Sequence, residues 1–257
     1  TVYAFRDLTD ERALETMRQD LVATVSHELR TPLAAIYGAA LTLRRDDVEL
    51  EGPLHAKLLE VIAEESNRLS NIVNDLLLAS QLDTGTLRAT IERCDPREIA
   101  GLEMDAARMH LPETITLVLS APDDLPAVAA DPGQLRQVLG NLIENAIKYS
   151  PGGGTIDVTL EPVERHVRFA IRDSGLGIPK AEQRRIFEKF YRLDPDMARG
   201  IGGTGLGLYI CRELVRRVDG RIWVESDGRS GSTFIVEIPQ EAAVPAVVAH
   251  RRITTPV

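Results

Sequence analysis

Residues 26–33 have the sequence Ser-His-Glu-Leu-Arg-Thr-Pro-Leu and lie inside a long stretch with helical periodicity, from about Leu8 to Leu82. Apolar residues recur there at steps of three and four, as on the buried face of a bundle helix. A turn signal, Asp46-Asp47 followed by Gly52-Pro53, divides the stretch into two helices that should form an antiparallel hairpin. Because one hairpin cannot bury both apolar faces, we expect a homodimer that closes a four-helix bundle. A monomeric hairpin packed on the rest of the chain is the alternative.

After a predicted hinge at Asp83-Thr84-Gly85-Thr86, the sequence changes to short strands mixed with helices. Strands are expected at 115–119, 127–129, 156–160, 167–171, 222–226 and 233–238, and helices at 132–149, 180–187 and 206–218. This order favours an α/β sandwich, in which helices cover one face of a single mixed sheet. The predicted fold class is therefore α plus α/β: a helical-hairpin domain followed by a two-layer domain.

Composition narrows the possible functions. The 257 residues are 44% hydrophobic and 27% charged, which is typical of a soluble globular protein. A net charge of -9 argues against a general nucleic-acid binder. Two cysteines, Cys94 and Cys211, exclude a disulfide scaffold and a cysteine-based zinc site, and they suit a reducing cytosol. No apolar run approaches the ~20 residues that span a bilayer. We therefore expect a cytoplasmic fragment of a longer chain, since the first residue is Thr1.

His27 is the first candidate for chemistry, since helical spacing directs it away from the apolar seam. A neutral imidazole on a helix surface is a competent nucleophile, and the adjacent Glu28 can take or orient its proton. Thr31 lies one turn further along the same face, and Pro32 should bend the helix just past the histidine. An isolated His-Glu pair is, however, most often a solvated helix surface.

Polar residues form a stripe on the predicted helix 132–149: Asn141, Glu144, Asn145 and Lys148. Amide and carboxylate oxygens suit a hard cation such as Mg²⁺, and Lys148 could balance a phosphate. The alternative is again a solvated helix face, although asparagine is a poor helix former.

Two glycine-containing segments complete the candidates. In Asp173-Ser174-Gly175-Leu176-Gly177, directly after a strand, the carboxylate could accept a hydrogen bond from an exocyclic amine such as that of adenine. The segment Gly203-Thr204-Gly205-Leu206-Gly207 opens a helix, where free N–H groups can receive phosphate. Each segment alone is weak evidence for a ligand site.

Together and in this order, the segments resemble the catalytic core of a sensor histidine kinase. Residues 27–33 match the H box, 141–148 the N box, 173–177 the G1 box, 187–190 the F box and 203–208 the G2 box. The resemblance covers roughly Asp10 to Pro239. It implies a dimerisation and histidine phosphotransfer domain at 10–84 and a catalytic ATP-binding domain at 85–239. Residues 1–12 would end an upstream PAS-like sensor or linker, and 240–257 would be a disordered tail.

The resemblance also implies a role for each matching residue. His27 would accept the phosphoryl group from ATP, Glu28 would act as general base, and Thr31 would orient water for dephosphorylating a partner response regulator. Asn145, with Glu144, would bind Mg²⁺. The implied ATP-binding residues are Asn141, Asn145, Lys148, Tyr149, Asp173, Gly175, Gly177, Arg192, Gly203, Thr204, Gly205, Leu206 and Gly207. A lid would span roughly 194–204.

The implied partners are a second copy of the chain, an upstream sensor domain and the receiver domain of a response regulator, which would dock near Arg30, Ala34 and Tyr37. Two other functions stay open. One is an ATPase of the same nucleotide-binding superfamily without phosphotransfer, and the other is a catalytically silent dimeric scaffold. A kinase in which phosphatase activity dominates is an intermediate possibility.

Overall fold

Two long helices form the first half of the computed structural model. The structure describes residues 9–45, 52–193 and 203–241, and for residues 9–24 it describes the backbone alone. Helix α1 (Thr9–Leu43) continues through Pro32, and helix α2 (Gly52–Asp83) follows. Glu28 and Arg68, which lie at matching distances from the connection, are in contact, so the helices are antiparallel as expected. Residues 1–8 of the sensor or linker end expected at 1–12 lie outside the described residues, as does the Asp46-Asp47 turn.

The described residues of the second half form three α-helices and seven strands. In chain order they are β1 (Glu92–Cys94), α3 (Pro96–Arg108), β2 (Ile115–Ser120), β3 (Val128–Ala130), α4 (Pro132–Lys148), β4 (Gly154–Val163), β5 (His166–Arg172), α5 (Gly207–Arg217), β6 (Arg221–Glu225) and β7 (Thr233–Pro239). Five strands form one sheet in the order β2-β4-β5-β7-β6, while β1 and β3 pair separately. Strands β2 and β4 are parallel and the other pairs in the large sheet are antiparallel. The predicted mixed sheet is confirmed.

The core lies between this sheet and its helices. Along β5, Val167, Phe169 and Ile171 are buried at alternate positions, as expected for a strand with one face toward helices. Helix α4 contributes Leu139, Leu142 and Ile143 to the same cluster. Ala79 of α2 also belongs to it, so the end of the hairpin packs on the second domain. Within the described part of the chain, no helix is long and apolar enough to cross a membrane.

The sequence analysis was wrong about one helix and missed another. The helix expected at 180–187 is a series of turns that ends in a short 3₁₀ helix, Arg185–Phe187. The Gln183 amide donates to the Ile178 and Ser226 carbonyl oxygens instead, which ties this segment to a neighbouring loop. Helix α3 was not predicted, although Asp95 accepts hydrogen bonds from the Arg97 and Glu98 amides and Pro96 follows it. The same Asp-Pro signal begins α4, where Asp131 accepts a hydrogen bond from the Gln134 amide and Pro132 follows it.

Candidate functional site

His27 lies on the exposed surface of α1, as its helical position predicted. Thr31, also exposed, donates a hydrogen bond from its hydroxyl to the His27 backbone oxygen at 3.3 Å, so both side chains belong to one stretch of helix surface. The His27 imidazole is therefore accessible to a second domain or to another protein.

Glu28 differs from the solvated side chain that an isolated His-Glu pair would give, since it is only 1% exposed. Its Oε1 lies 3.3 Å from Arg192 Nη1, and its Oε2 lies 3.4 Å from Arg68 Nη2. A buried carboxylate requires such partners because its desolvation is costly. The pair with Arg192 places the second domain beside the helical turn that carries His27.

The polar stripe of α4 lies between the glycine segments. Gly203 lies next to Lys148, since a Cβ atom added to this glycine would be 2.8 Å from Lys148 Nζ. Gly207 lies next to Asn141 in the same way, with 3.7 Å between an added Cβ atom and Asn141 Nδ2. Burial lowers the pKa of the Lys148 ammonium, and the positive charge of Arg192 acts in the same direction. Asn141 Nδ2 is buried and has no oxygen or nitrogen partner among the described residues. A cationic group and a side-chain amide therefore face the segment that the sequence assigned to phosphate.

The C-terminal end of α4 meets the segment after β5. A side-chain carbon on Gly175 would lie 2.1 Å from the Tyr149 carbonyl oxygen, so only glycine fits there. The Leu176 amide donates to that same oxygen at 3.2 Å. The Tyr149 backbone thus lies beside the segment that was expected to contact adenine, while the Tyr149 residue is 41% exposed.

Asp173 is 5% exposed, and one of its oxygens is fixed by the backbone. Oδ1 accepts hydrogen bonds from the Gly175 amide at 2.8 Å and from the Ser232 amide at 3.2 Å. Among the described residues, none donates to Oδ2. Burial raises the pKa of this carboxyl group, against the effect of the backbone donors. The site therefore presents an oriented acceptor oxygen that can receive an amine.

The loop before α5 is held against the F-box segment. Gly205 has a φ of 68°, and its carbonyl oxygen accepts from the Phe190 amide at 3.0 Å. The Thr204 hydroxyl accepts from the Leu206 amide at 3.3 Å, and Leu206 is fully buried. These bonds fix the end of the expected lid, of which residues 194–202 lie outside the described part of the structure.

Asp75 of α2 lies near enough to Glu144 of α4 for the two charges to interact, which the sequence did not predict. Burial and the negative charge of Glu144 raise the pKa of Asp75 to about 6. Partial burial raises the pKa of Glu144 as well, while the charge of Lys148 opposes this shift. Two carboxyl groups therefore repel each other where the hairpin meets the second domain.

We expect Asp75→Asn to stabilise the protein at neutral pH. A carboxyl with a raised pKa takes up a proton on folding between pH 3.8 and about 6, so stability falls as pH rises through that window. The shift in the pKa of Asp75 sets an upper limit of about 3 kcal/mol on the gain in the free energy of unfolding. Because the side chain is partly exposed, we expect a gain of about 1–2 kcal/mol. Urea unfolding in EDTA at pH 5 and pH 7.5 measures the change. The exposed Asp124→Asn is the control, and equal pH dependence of wild type and Asp75→Asn would contradict the expectation.

The first residue of the predicted hinge, Asp83, contacts the second domain. Asp83 Oδ1 accepts a hydrogen bond from the Tyr209 hydroxyl of α5 at 2.5 Å, and Lys189 pairs with Oδ2. These bonds lower the pKa of Asp83 against the effect of its partial burial. The end of α2 is therefore tied to the second domain from two sides.

The structure thus brings the H box, the N box and both glycine segments together. Sequence analysis missed Arg68, Asp75, Lys189 and Tyr209. No periodic or motif signal links these residues to their partners, because the contacts depend on how two domains meet.

Comparison with known families agrees with this arrangement. Residues 17–85 match the His Kinase A (phospho-acceptor) domain, and residues 130–242 match the histidine kinase-, DNA gyrase B- and HSP90-like ATPase domain. The sensor histidine kinase WalK of Bacillus subtilis is 34% identical over 235 residues, which is 91% of this chain and 38% of that protein. The chain therefore spans about two fifths of the length of this curated relative.

Solved structures agree as well. Full-length ShkA in complex with AMPPNP has a TM-score of 0.63 at 28% identity, covering 85% of this chain and 45% of that one. Histidine kinase ThkA in complex with the response regulator TrrA has a TM-score of 0.63 at 25% identity, covering 91% of this chain and 65% of that one. With both domain models matched in order, the chain belongs to the sensor histidine kinases.

Proposed function

We propose that the chain is a kinase core that transfers the terminal phosphoryl group of ATP to His27. The observation that carries the proposal is the 3.3 Å ion pair between Arg192 and Glu28. It joins the ATPase domain to the helical turn of an exposed histidine within one chain. An ATPase without phosphotransfer would not need this juxtaposition, and a silent scaffold would not need the oriented Asp173 carboxylate.

The nucleotide lies, in this proposal, along α4 between the two glycine segments. Asp173 Oδ2 accepts the adenine amine, Tyr149 packs near the base, and Gly175 and Gly177 shape the pocket. The phosphates lie at the opposite end. The groups proposed to contact them are Lys148, Arg192, Asn141, Asn145 and the backbone of Gly203, Thr204, Gly205, Leu206 and Gly207.

The donor set of α4 fits Mg²⁺. Glu144 and Asn145 offer the oxygen ligands that this ion prefers, and Mg²⁺ in nucleotide sites takes its remaining ligands from phosphates and water. The described residues contain no cluster of three or more His, Cys, Asp or Glu side chains that could hold a metal. When bound, the ion supplies neutralisation of phosphate charge.

Transfer requires little of the protein beyond positioning and charge neutralisation. The unprotonated ring nitrogen of His27 forms a bond to the γ-phosphorus while the bond to the bridging oxygen of ADP breaks. The proton on the other ring nitrogen passes to Glu28. Because the resulting phosphoramidate is labile, we propose that its phosphoryl group is passed to an aspartate on a response regulator. We also propose that Thr31 orients a water that hydrolyses this aspartyl phosphate, which releases inorganic phosphate and restores the aspartate.

We further propose that the chain works as a homodimer beneath an upstream sensor domain. Large apolar side chains on the hairpin remain exposed in the single chain, among them Leu33 at 58% and Leu77 at 58%. Exposed apolar surface of this kind marks an interaction face. A second hairpin would cover it and complete the four-helix bundle.

The test is incubation of the purified chain with Mg²⁺ and γ-labelled ATP, followed by a chase with purified receiver domains. We expect a label that is stable in base and lost in acid, and that moves to a receiver domain. Nucleotide binding without such a label would contradict the proposal.

We expect Tyr37→Ala to slow phosphotransfer to the receiver domain while leaving autophosphorylation unchanged. Tyr37 is 65% exposed on α1, near Arg30 and Ala34. Loss of an aromatic anchor from an interface costs about 1–2 kcal/mol, which corresponds to a roughly 5- to 30-fold slower transfer at low receiver concentration. Rates of label loss from the kinase measure the effect. Met109→Ala, which is exposed on the other domain, is the control, and equal loss of both activities would refute the docking surface.

A further inference from the structure

The Glu28 carboxylate is held by two guanidinium groups, one on each oxygen. Arg68 on α2 reaches Oε2, and Arg192 from the ATPase domain reaches Oε1. The Glu28 side chain is 2% exposed and the Arg192 side chain 14%, whereas Arg68 is 42% exposed. The proposed base is therefore shared between a partner on the hairpin and a partner on the other domain.

The two arginines are not equivalent. Arg192 follows the F box and is proposed to contact phosphate, so a bound nucleotide competes with Glu28 for it. Arg68 lies on the helix that packs along α1, and its Nη1 is 3.8 Å from Glu65 Oε2, one turn earlier on α2. Glu65 supports the Arg68 side chain from its own helix. Arg68 thus remains beside Glu28 wherever the ATPase domain moves.

We infer that Arg68 is a positioning residue for phosphoryl transfer: it holds the Glu28 carboxylate beside His27 while Arg192 exchanges between Glu28 and the nucleotide phosphates. The inference rests on the proposed autophosphorylation of His27. Without Arg68, departure of Arg192 would leave the buried carboxylate with neither of its two guanidinium partners, which is costly enough to make the side chain rotate away from His27. The Glu28 carboxylate is then not in place to accept the proton of His27 when the phosphoryl group is transferred.

The inference predicts a defect in the chemical step rather than in nucleotide binding. Arg68→Met removes the charge and keeps most of the apolar stem. We expect at least a tenfold lower kcat for autophosphorylation, with KM for ATP within twofold of wild type, because the contacts of the adenine pocket are untouched. Arg68→Lys retains a cation for one carboxylate oxygen and should stay within about threefold of wild type.

A double-mutant cycle separates positioning from mere stabilisation of the hairpin. If Arg68 acts through Glu28, then Arg68→Met combined with Glu28→Gln should be no slower than Glu28→Gln alone. A purely structural pair would instead lower the melting temperature, and the two kinetic effects would multiply. Lys57→Met, an exposed cation on the same helix, is the matched control and should leave kcat unchanged.

The experiment measures single-turnover labelling at saturating Mg²⁺-ATP, with binding of a fluorescent ATP analogue followed separately. An unchanged kcat in Arg68→Met, or multiplicative loss in the double variant, overturns the inference. If Arg68→Met fails to fold, the rate of Arg68→Lys decides: a tenfold loss in that folded variant also overturns the inference. An unlabelled wild-type chain would instead refute the proposed function itself, so the two failures are distinguishable.

Discussion

His27→Gln should reduce autophosphorylation to background while nucleotide binding stays within twofold of wild type. The glutamine side chain is polar and of similar reach, but its amide nitrogen is not nucleophilic, since its lone pair is delocalised into the carbonyl group. His27 is exposed and its ring makes no hydrogen bond with described residues, so the substitution should not disturb the hairpin. Acid-labile label from γ-labelled ATP measures the rate, and calorimetric titration with ADP measures binding.

The matched control is His55→Gln, since His55 is an exposed histidine on the other helix of the hairpin. We expect this variant to label at the wild-type rate. Residual acid-labile label in His27→Gln would show that another histidine accepts the phosphoryl group, and the assignment of His27 would be wrong.

Asp173→Asn should weaken ATP binding by roughly 10- to 100-fold, the loss expected when a hydrogen bond to a charged acceptor is removed. Asparagine can still accept the backbone bonds at Oδ1, so the loop after β5 should remain in place. Its amide nitrogen, however, would point a donor at the donor amine of adenine. Calorimetric titration with ADP measures the affinity. Asp124→Asn is the control, and unchanged affinity in Asp173→Asn would place the adenine elsewhere.

The same carboxyl group predicts the direction of a pH effect. Burial raises the pKa of Asp173, so protonation begins at a higher pH than for an exposed aspartate. The ionised form is the acceptor of the amine, and nucleotide affinity should therefore fall as pH is lowered. In Asp173→Asn this part of the pH dependence should disappear, which separates it from the titration of the phosphates.

Much of the fold was predictable because it depends on local patterns. Alternating apolar residues in β4 and β5 gave the strands, and the Asp131-Pro132 start gave helix α4 almost to the residue. The helix predicted at 180–187 is absent because the few apolar side chains of this segment pack into the core from turns rather than from a regular helix. Local propensity does not reveal where a side chain such as Gln183 finds its hydrogen-bond partners.

The candidate site was predictable as a set of segments but not as a set of contacts. The polar stripe of α4 and the exposed position of His27 follow from helical spacing. The burial of Glu28 does not, because it depends on Arg68, 40 residues away, and on Arg192, 164 residues away. Contacts between separately folding elements leave no periodic trace in the sequence.

The burial of Ala79 determines where the chain can be truncated. This residue lies in α2, yet its side chain is part of the hydrophobic core built around the five-stranded sheet, and Asp83 is bonded to that same half of the protein. A recombinant fragment that begins at Thr86 would follow the change in sequence character but would bare the apolar surface that receives Ala79. The second domain as predicted from the sequence begins after α2. The part of the chain that we expect to unfold cooperatively with the sheet begins earlier, within α2. Leu76 also packs against this core, so truncations for biophysical work should start upstream of Leu76.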